Sequence, residues 1–280
     1  MDEELVLTPG GKRPLSLVKQ VNEGESLVGL GGVMHKVDQR RSADLFAADI
    51  VDLDRLGDIL ELQDVRLQAE NTAALGSGWI AYAYWNNGTG NSITSFTTSW
   101  VVPPAPSTVS GQTIFLFNGI QNYGNNYGIL QPVLQWGVSA AGGGSYWAVS
   151  NWYVTSGGQA SYTPLVQVAS GRTLTGVMTL TGQSGSGFSY TSAFQEIGTT
   201  LTVQNIAELL WCNETLEAYG VQQCSDYPAG GGTAMNQIGI ETTQGSPALN
   251  WVPVSAVTDC GQSASVASNA NPGGQIDIAY

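Results

Sequence analysis

A chain of 280 residues, 42% hydrophobic and only 11% charged, can bury one large core, as one big domain or one domain plus an extra segment. Its net charge of −13 argues against nucleic acid and anionic membranes as partners, because both need a basic footprint. No apolar run reaches the roughly 18 residues of a membrane-spanning helix, and the 36 glycines among frequent Thr, Ser, Val, Tyr and Trp predict an all-β protein with many tight turns.

The first 75 residues differ from the rest. Lys12, Arg13, Lys19, Lys36, Arg40, Arg41, Arg55 and Arg66 all lie there, leaving Arg172 as the one base beyond. This break in charge, followed by the linker-like "NTAALGSG", predicts an extension or pro-segment over 1–75 and a β domain over 76–280. Within the extension, "ADLFAADIVDLDRLGDILELQDVRL" reads as a helix or a pair of short strands. The start, "MDEELVLTPGG", lacks the basic and apolar parts of a signal peptide. The sequons Asn87-Gly88-Thr89 and Asn213-Glu214-Thr215, with the low Lys content, nevertheless lean towards secretion.

From residue 78 onward, apolar runs alternate with Gly and Asn. "GWIAYAYW", "ITSFTTSWVV", "TIFLFNGI", "YGILQPVLQWGVS", "SYWAVSNWYV", "TLTGVMTLTG", "GFSYTSAFQ", "IAELLWCNETLEAY", "MNQIGIETT" and "QIDIAY" read as strands of a two-sheet antiparallel β-sandwich. In "ILQPVLQWG", Leu130, Leu134 and Trp136 share a core face, while Ile129, Gln131, Val133 and Gln135 share the other. Pro132, which has no N–H, marks a bulge or an unpaired position. In "AELLWCNETLE", a continuous strand would put Glu208, Leu210, Cys212, Glu214 and Leu216 on one face. Glu214 and Glu217 read as solvated groups near the strand end, a glycosylated Asn213 would hold that face in solvent, and Trp136 and Trp211 read as core.

The only histidine, His35, lies in the extension. A Ser-His-Asp or Cys-His mechanism in the β body therefore lacks its base, and His-rich metal sites are excluded. Neither a metal nor another cofactor is expected. Cys212, Cys224 and Cys260 have no zinc-type spacing. They read as one disulfide, Cys224–Cys260, whose two members sit in loop-like contexts, plus one buried thiol. What remains for catalysis is glutamate, amide and aromatic hydroxyl.

"GIQNYGNNYGILQPVLQWG", "SYWAVSNWYV", "VASGRTLTG" and "NIAELLW", with "TSWVVPP" before them, resemble in order the glutamic peptidases of the eqolisin type. The resemblance spans roughly residues 95–215. It implies a concanavalin A-like sandwich whose concave face carries a catalytic Gln and Glu, matched here by Gln131 and Glu208. It places Trp152 and Tyr153 along the substrate cleft. Asn151, beside them, and Gln135, on the same strand face as Gln131, are taken as further substrate-binding candidates. Leu209, Asn151 and Pro132 depart from the family's residues at their positions. A glutamate can take a proton from the attacking water and pass it to the leaving amine, while an amide donates to the oxyanion. The expectation is a secreted, monomeric, acid-acting endopeptidase on peptide or protein substrates, in which residues 1–75 either hold the enzyme as a zymogen until acid releases them or supply extra strands to the sandwich and never leave. The alternative is a lectin-like module in which the same amides and aromatic rings bind a glycan without cleaving it.

Overall fold

In the computed structural model, residues 3–39, 77–124 and 127–280 are described. The stretch 43–67, read as helix or short strands, and the boundary at 75–76 lie outside them. Two nine-stranded sheets pack face to face, with a separate two-stranded hairpin. A continuous core between them takes Ile80, Leu116, Leu130, Leu134 and Leu216 from one sheet and Phe96, Trp100, Met178, Tyr190 and Ile240 from the other. The fold is the expected β-sandwich.

The first sheet carries the site. At its centre, β16 (Trp211–Tyr219) pairs with β6 (Gly78–Asn86) on one side and β8 (Thr113–Gln121) on the other. Beyond β8 come β9 (Gly128–Ser139) and β10 (Gly142–Thr155). All are antiparallel, and alternation sorts their side chains cleanly. Cys212, Leu216 and Ala218 of β16 enter the inter-sheet core, as do Ile114, Leu116 and Ile120 of β8. Phe115, Phe117, Ile129, Val133, Trp152 and Val154 form a second cluster on the outer face, turned away from the other sheet.

Residues 3–39 are built into this architecture rather than set apart from it. β3 (Val18–Gln20) pairs in parallel with β11 (Ala160–Tyr162) at one edge of the first sheet. β4 (Glu25–Leu30) pairs in parallel with β15 (Thr200–Ile206) of the second, and β5 (Val33–Asp38) closes that edge. The sandwich is therefore antiparallel except where the N-terminal segment joins it. His35 is exposed on β5.

The hairpin of β1 (Leu5–Thr8) and β2 (Gly11–Pro14) lies against the outer face of the first sheet. Its turn follows from "TPGG": Pro9 presets one corner, and Gly10, at φ 87°, takes the left-handed conformation that a Pro-Gly turn requires. The hairpin is docked by a bond from the Ala140 N–H to the Leu7 carbonyl of 2.7 Å. Elsewhere, Cys224 and Cys260 form a disulfide and Cys212 is a free buried thiol.

Candidate functional site

β16 begins at Trp211, so the strand expected to run on from Glu208 does not reach it. Glu208 sits instead in the crossover from β15 of the second sheet to β16 of the first. There the neighbouring Leu209 N–H donates to the Tyr190 hydroxyl at 3.1 Å, and burial above all, with the charge of Glu208 adding to it, pushes the Tyr190 pKa up against that bond. Register then decides what faces Gln131. Asn213 pairs with Gly119, and the β8–β9 ladder, which pairs Phe117 with Val133 and Ile120 with Leu130, puts Gly119 level with Gln131. The residue two strands across from Gln131 is thus Asn213. Gln131 and Glu208 are not brought level.

Gln131 is buried on the outer face, and its Oε1 has no partner among the described residues. Asn213 is buried too: its Oδ1 accepts from the Thr215 hydroxyl at 2.9 Å, and its Nδ2 is unpartnered. Its amide lies over Gly119, where a Cβ would come within 3.0 Å of Oδ1 and 3.1 Å of Nδ2. A side chain packed this way does not hold its face in solvent as the sequon suggested. Gln135 shares the outer face, but its amide is committed: Nε2 donates to the carbonyls of Gly137 and Gly142, and Oε1 accepts from Ser139. It fixes the turn between β9 and β10.

The expected cleft residues of β10 separate by parity. Trp152 is on the outer face, fully buried against Tyr162 at a ring distance of 4.9 Å. Asn151 and Tyr153 face the other way. Asn151 accepts from the Ser192 hydroxyl of the second sheet at 2.9 Å, and Tyr153 belongs to the inter-sheet core. Adjacent residues of one strand cannot line one surface. Trp136 is core as expected, whereas Trp211 lies on the outer face, stacked on Tyr84 at 5.1 Å and on Trp79 at 5.9 Å.

The larger correction concerns Glu214 and Glu217, which are wholly buried rather than solvated. They point to opposite faces. Glu214 enters the inter-sheet core, where Oε1 accepts from Thr98 of β7 (Ile93–Val101) at 2.5 Å. Its Oε2 is unpartnered, as is Oδ1 of Asn118, the residue paired with it on β8. Burial pushes its pKa well above the usual carboxylate range, only partly offset by the Thr98 hydroxyl. A proton on Oε2 would supply the donor that Asn118 lacks.

Glu217 is on the outer face under the hairpin. Its Oε1 accepts from the Gly10 N–H at 2.7 Å and from the Tyr219 hydroxyl at 2.5 Å, while Oε2 has no partner among the described residues. Burial raises its pKa to about 7, against the lowering by these two donors and by the charge of buried Arg13. Burial and Glu217 together keep the Tyr219 phenol protonated. Sequence reasoning missed this group, although parity held the signal. With Cys212 and Leu216 marking one face as core, Glu217 and Tyr219 belong to the other. Among the described residues, no three His, Cys, Asp or Glu side chains are grouped so as to hold a metal ion.

No family model matches this chain, and no curated protein does. Among solved structures, it is similar to a scytalido-glutamic peptidase with a peptide-based transition state analog, at 14% identity and a TM-score of 0.49 over 74% of this chain and 100% of that one. It is also similar to SCP-B, a member of the eqolisin family of peptidases in complex with the tripeptide Ala-Ile-His, at 13% identity and a TM-score of 0.46 over the same shares.

Proposed function

We propose that the protein is a glutamic-type peptidase whose working carboxylate is Glu217, with Tyr219 as its hydrogen-bonding partner. The observation that supports this reading is a buried carboxylate on the outer sheet face with one unpartnered oxygen and a protonated phenol at 2.5 Å from the other. Perturbed carboxylates beside a fixed donor are what general acid–base chemistry uses. Once the hairpin is away, Glu217 takes the proton of a water attacking a peptide carbonyl and delivers it to the leaving amine. Tyr219 turns its O–H to the oxyanion. Under the hairpin, Glu217 is neutral below about pH 7 and cannot serve as a base there. Acid action requires the hairpin gone, so that desolvation, the main cause of the raised pKa, is relieved. The Cys224–Cys260 disulfide fits an oxidising, extracellular setting.

The test uses a chain with a specific cut site in the exposed Leu15–Leu17 turn, cut after folding. Cleavage of an unfolded protein substrate is followed from pH 3 to 9 before and after the cut. Cleavage after the cut, lost in Glu217→Gln and retained in Glu208→Gln, supports the assignment. Loss in Glu208→Gln alone returns the role to Glu208.

A second reading has its own observation. Asn213, level with Gln131, cannot act as a base, and the half-exposed stack of Trp79, Trp211 and Tyr84 beside it is the kind of surface on which a sugar ring lies. On this reading the outer face binds a glycan without cleaving it. A cut chain that cleaves nothing, yet gives glycan-array signal abolished by Trp211→Ala, decides for it.

A further inference from the structure

We infer that the Leu5–Pro14 hairpin is a plug the chain carries over Glu217, held most firmly in acid and loosened as the pH rises. Its importance for activity rests on the reading of Glu217 above; its geometry does not. The tip is inserted rather than merely adjacent. Thr8, Pro9 and Arg13 are buried, and Gly10 gives its N–H to Glu217. A Cβ on Gly10 would lie 3.5 Å from Val154, and one on Gly11 would lie 3.7 Å from the Tyr219 hydroxyl. Among the described residues the hairpin forms its own two-stranded sheet and pairs with no strand of the larger one, and Leu5, at the open end, is 57% exposed. Such an element can open without unfolding the sandwich.

The direction of the pH effect follows from what surrounds Glu217. From the hairpin comes Arg13, from its own strand Tyr219, and from the segment before β9 Tyr127, which faces Tyr219. Its level neighbours across the sheet are Trp79 of β6, Phe115 of β8 and Gln135 of β9, none of them charged. β10 contains no ionisable residue apart from tyrosines. Among the described residues one cation, Arg13, acts against full burial, which leaves the neutral acid favoured, with a pKa of about 7 in the closed form against 4.5 for an ordinary glutamate. Below about pH 4.5 both forms are protonated and opening has no pH bias. Between there and pH 7 the open form gives up its proton while the closed form keeps it, so opening is promoted. The full span corresponds to roughly a hundredfold in the opening equilibrium. This is the reverse of the acid release expected from charge alone, because desolvation outweighs the attraction to Arg13.

Hydrogen exchange of the full-length chain, corrected for intrinsic rates, tests this without any assay of activity. Protection of Thr8, Gly10 and Gly11 should fall roughly a hundredfold between pH 4.5 and 8, and at each pH these amides should exchange faster than those of β8 and β9, because the hairpin opens without the sandwich unfolding. Glu217→Gln, which retains an acceptor for Gly10 but cannot ionise, should remove the pH dependence. Arg13→Gln, which deletes the cation favouring ionisation, should deepen it. Hairpin protection that is constant or rises with pH in the natural chain overturns the inference. So does a fall of equal size in Glu217→Gln or, should that variant not fold, a shallower fall in Arg13→Gln. A pH-dependent plug with no peptidase activity in the cut chain would leave the plug standing and remove only the peptidase reading.

Discussion

Glu214 and Glu217 stand three residues apart on one strand, both wholly buried, yet they inhabit different parts of the molecule. Glu214 is enclosed between two sheets, its partner Thr98 supplied by the opposite sheet, so nothing short of separating the sheets exposes it. Glu217 is covered by a ten-residue hairpin that touches the sheet through a few bonds. Burial raises both pKa values. The difference teaches that a shifted carboxylate is a functional candidate only where its cover can leave. The same shift inside a permanent core is a matter of stability.

The comparison breaks most readily at Glu214. Glu214→Ala leaves the Thr98 hydroxyl without its acceptor and opens a cavity, and should cost about 3–4 kcal/mol in denaturant unfolding. Glu214→Gln keeps the acceptor and offers an N–H to Asn118, so it should stay within about 1 kcal/mol at neutral pH. If Gln is as damaging as Ala, the side chain is not held as a neutral acid.

Next comes the pH dependence of the whole protein. A carboxyl whose folded pKa lies above its unfolded value contributes full stability below the unfolded pKa and loses it as pH rises. With Glu217 at about 7 against 4.5 unfolded, unfolding free energy should drop by about 3 kcal/mol from pH 4.5 to 8 on its account. Glu217→Gln should recover that part of the drop. An unchanged slope would mean that the hairpin does not bury this group in solution.

Smaller effects separate the two faces. Tyr219→Phe removes one donor to Glu217 and should cost about 1 kcal/mol in thermal unfolding, with no effect on the inter-sheet core. Gly119→Ala places a methyl against the Asn213 amide and Ile129 and should cost about 1 kcal/mol, the amide shifting by a few tenths of an ångström. A stabilising Gly119→Ala would show that the slot between Gln131 and Asn213 is wider than its contacts indicate.

Much of the fold was legible in the residues themselves. Period-two alternation in "ILQPVLQWG" sorts Leu130, Leu134 and Trp136 from Ile129 and Val133, and these occupy opposite faces, because the pleat leaves no other arrangement. Gly and Asn between apolar runs mark turns for the same local reason. What lay beyond the sequence was set by partners distant along the chain. The charge break left open a separable leader or extra strands of the sandwich, a choice that no local pattern decides, and hydrogen bonds to β11 and β15 stitch residues 18–38 into both sheets. Glu208 looked like a strand residue, yet the chain must cross between sheets there, which ends the ladder. Glu214 and Glu217 looked solvated because carboxylates usually are. Only the second sheet over one and the hairpin over the other show that both are enclosed, and burial is a property of what packs on top, which no local pattern encodes.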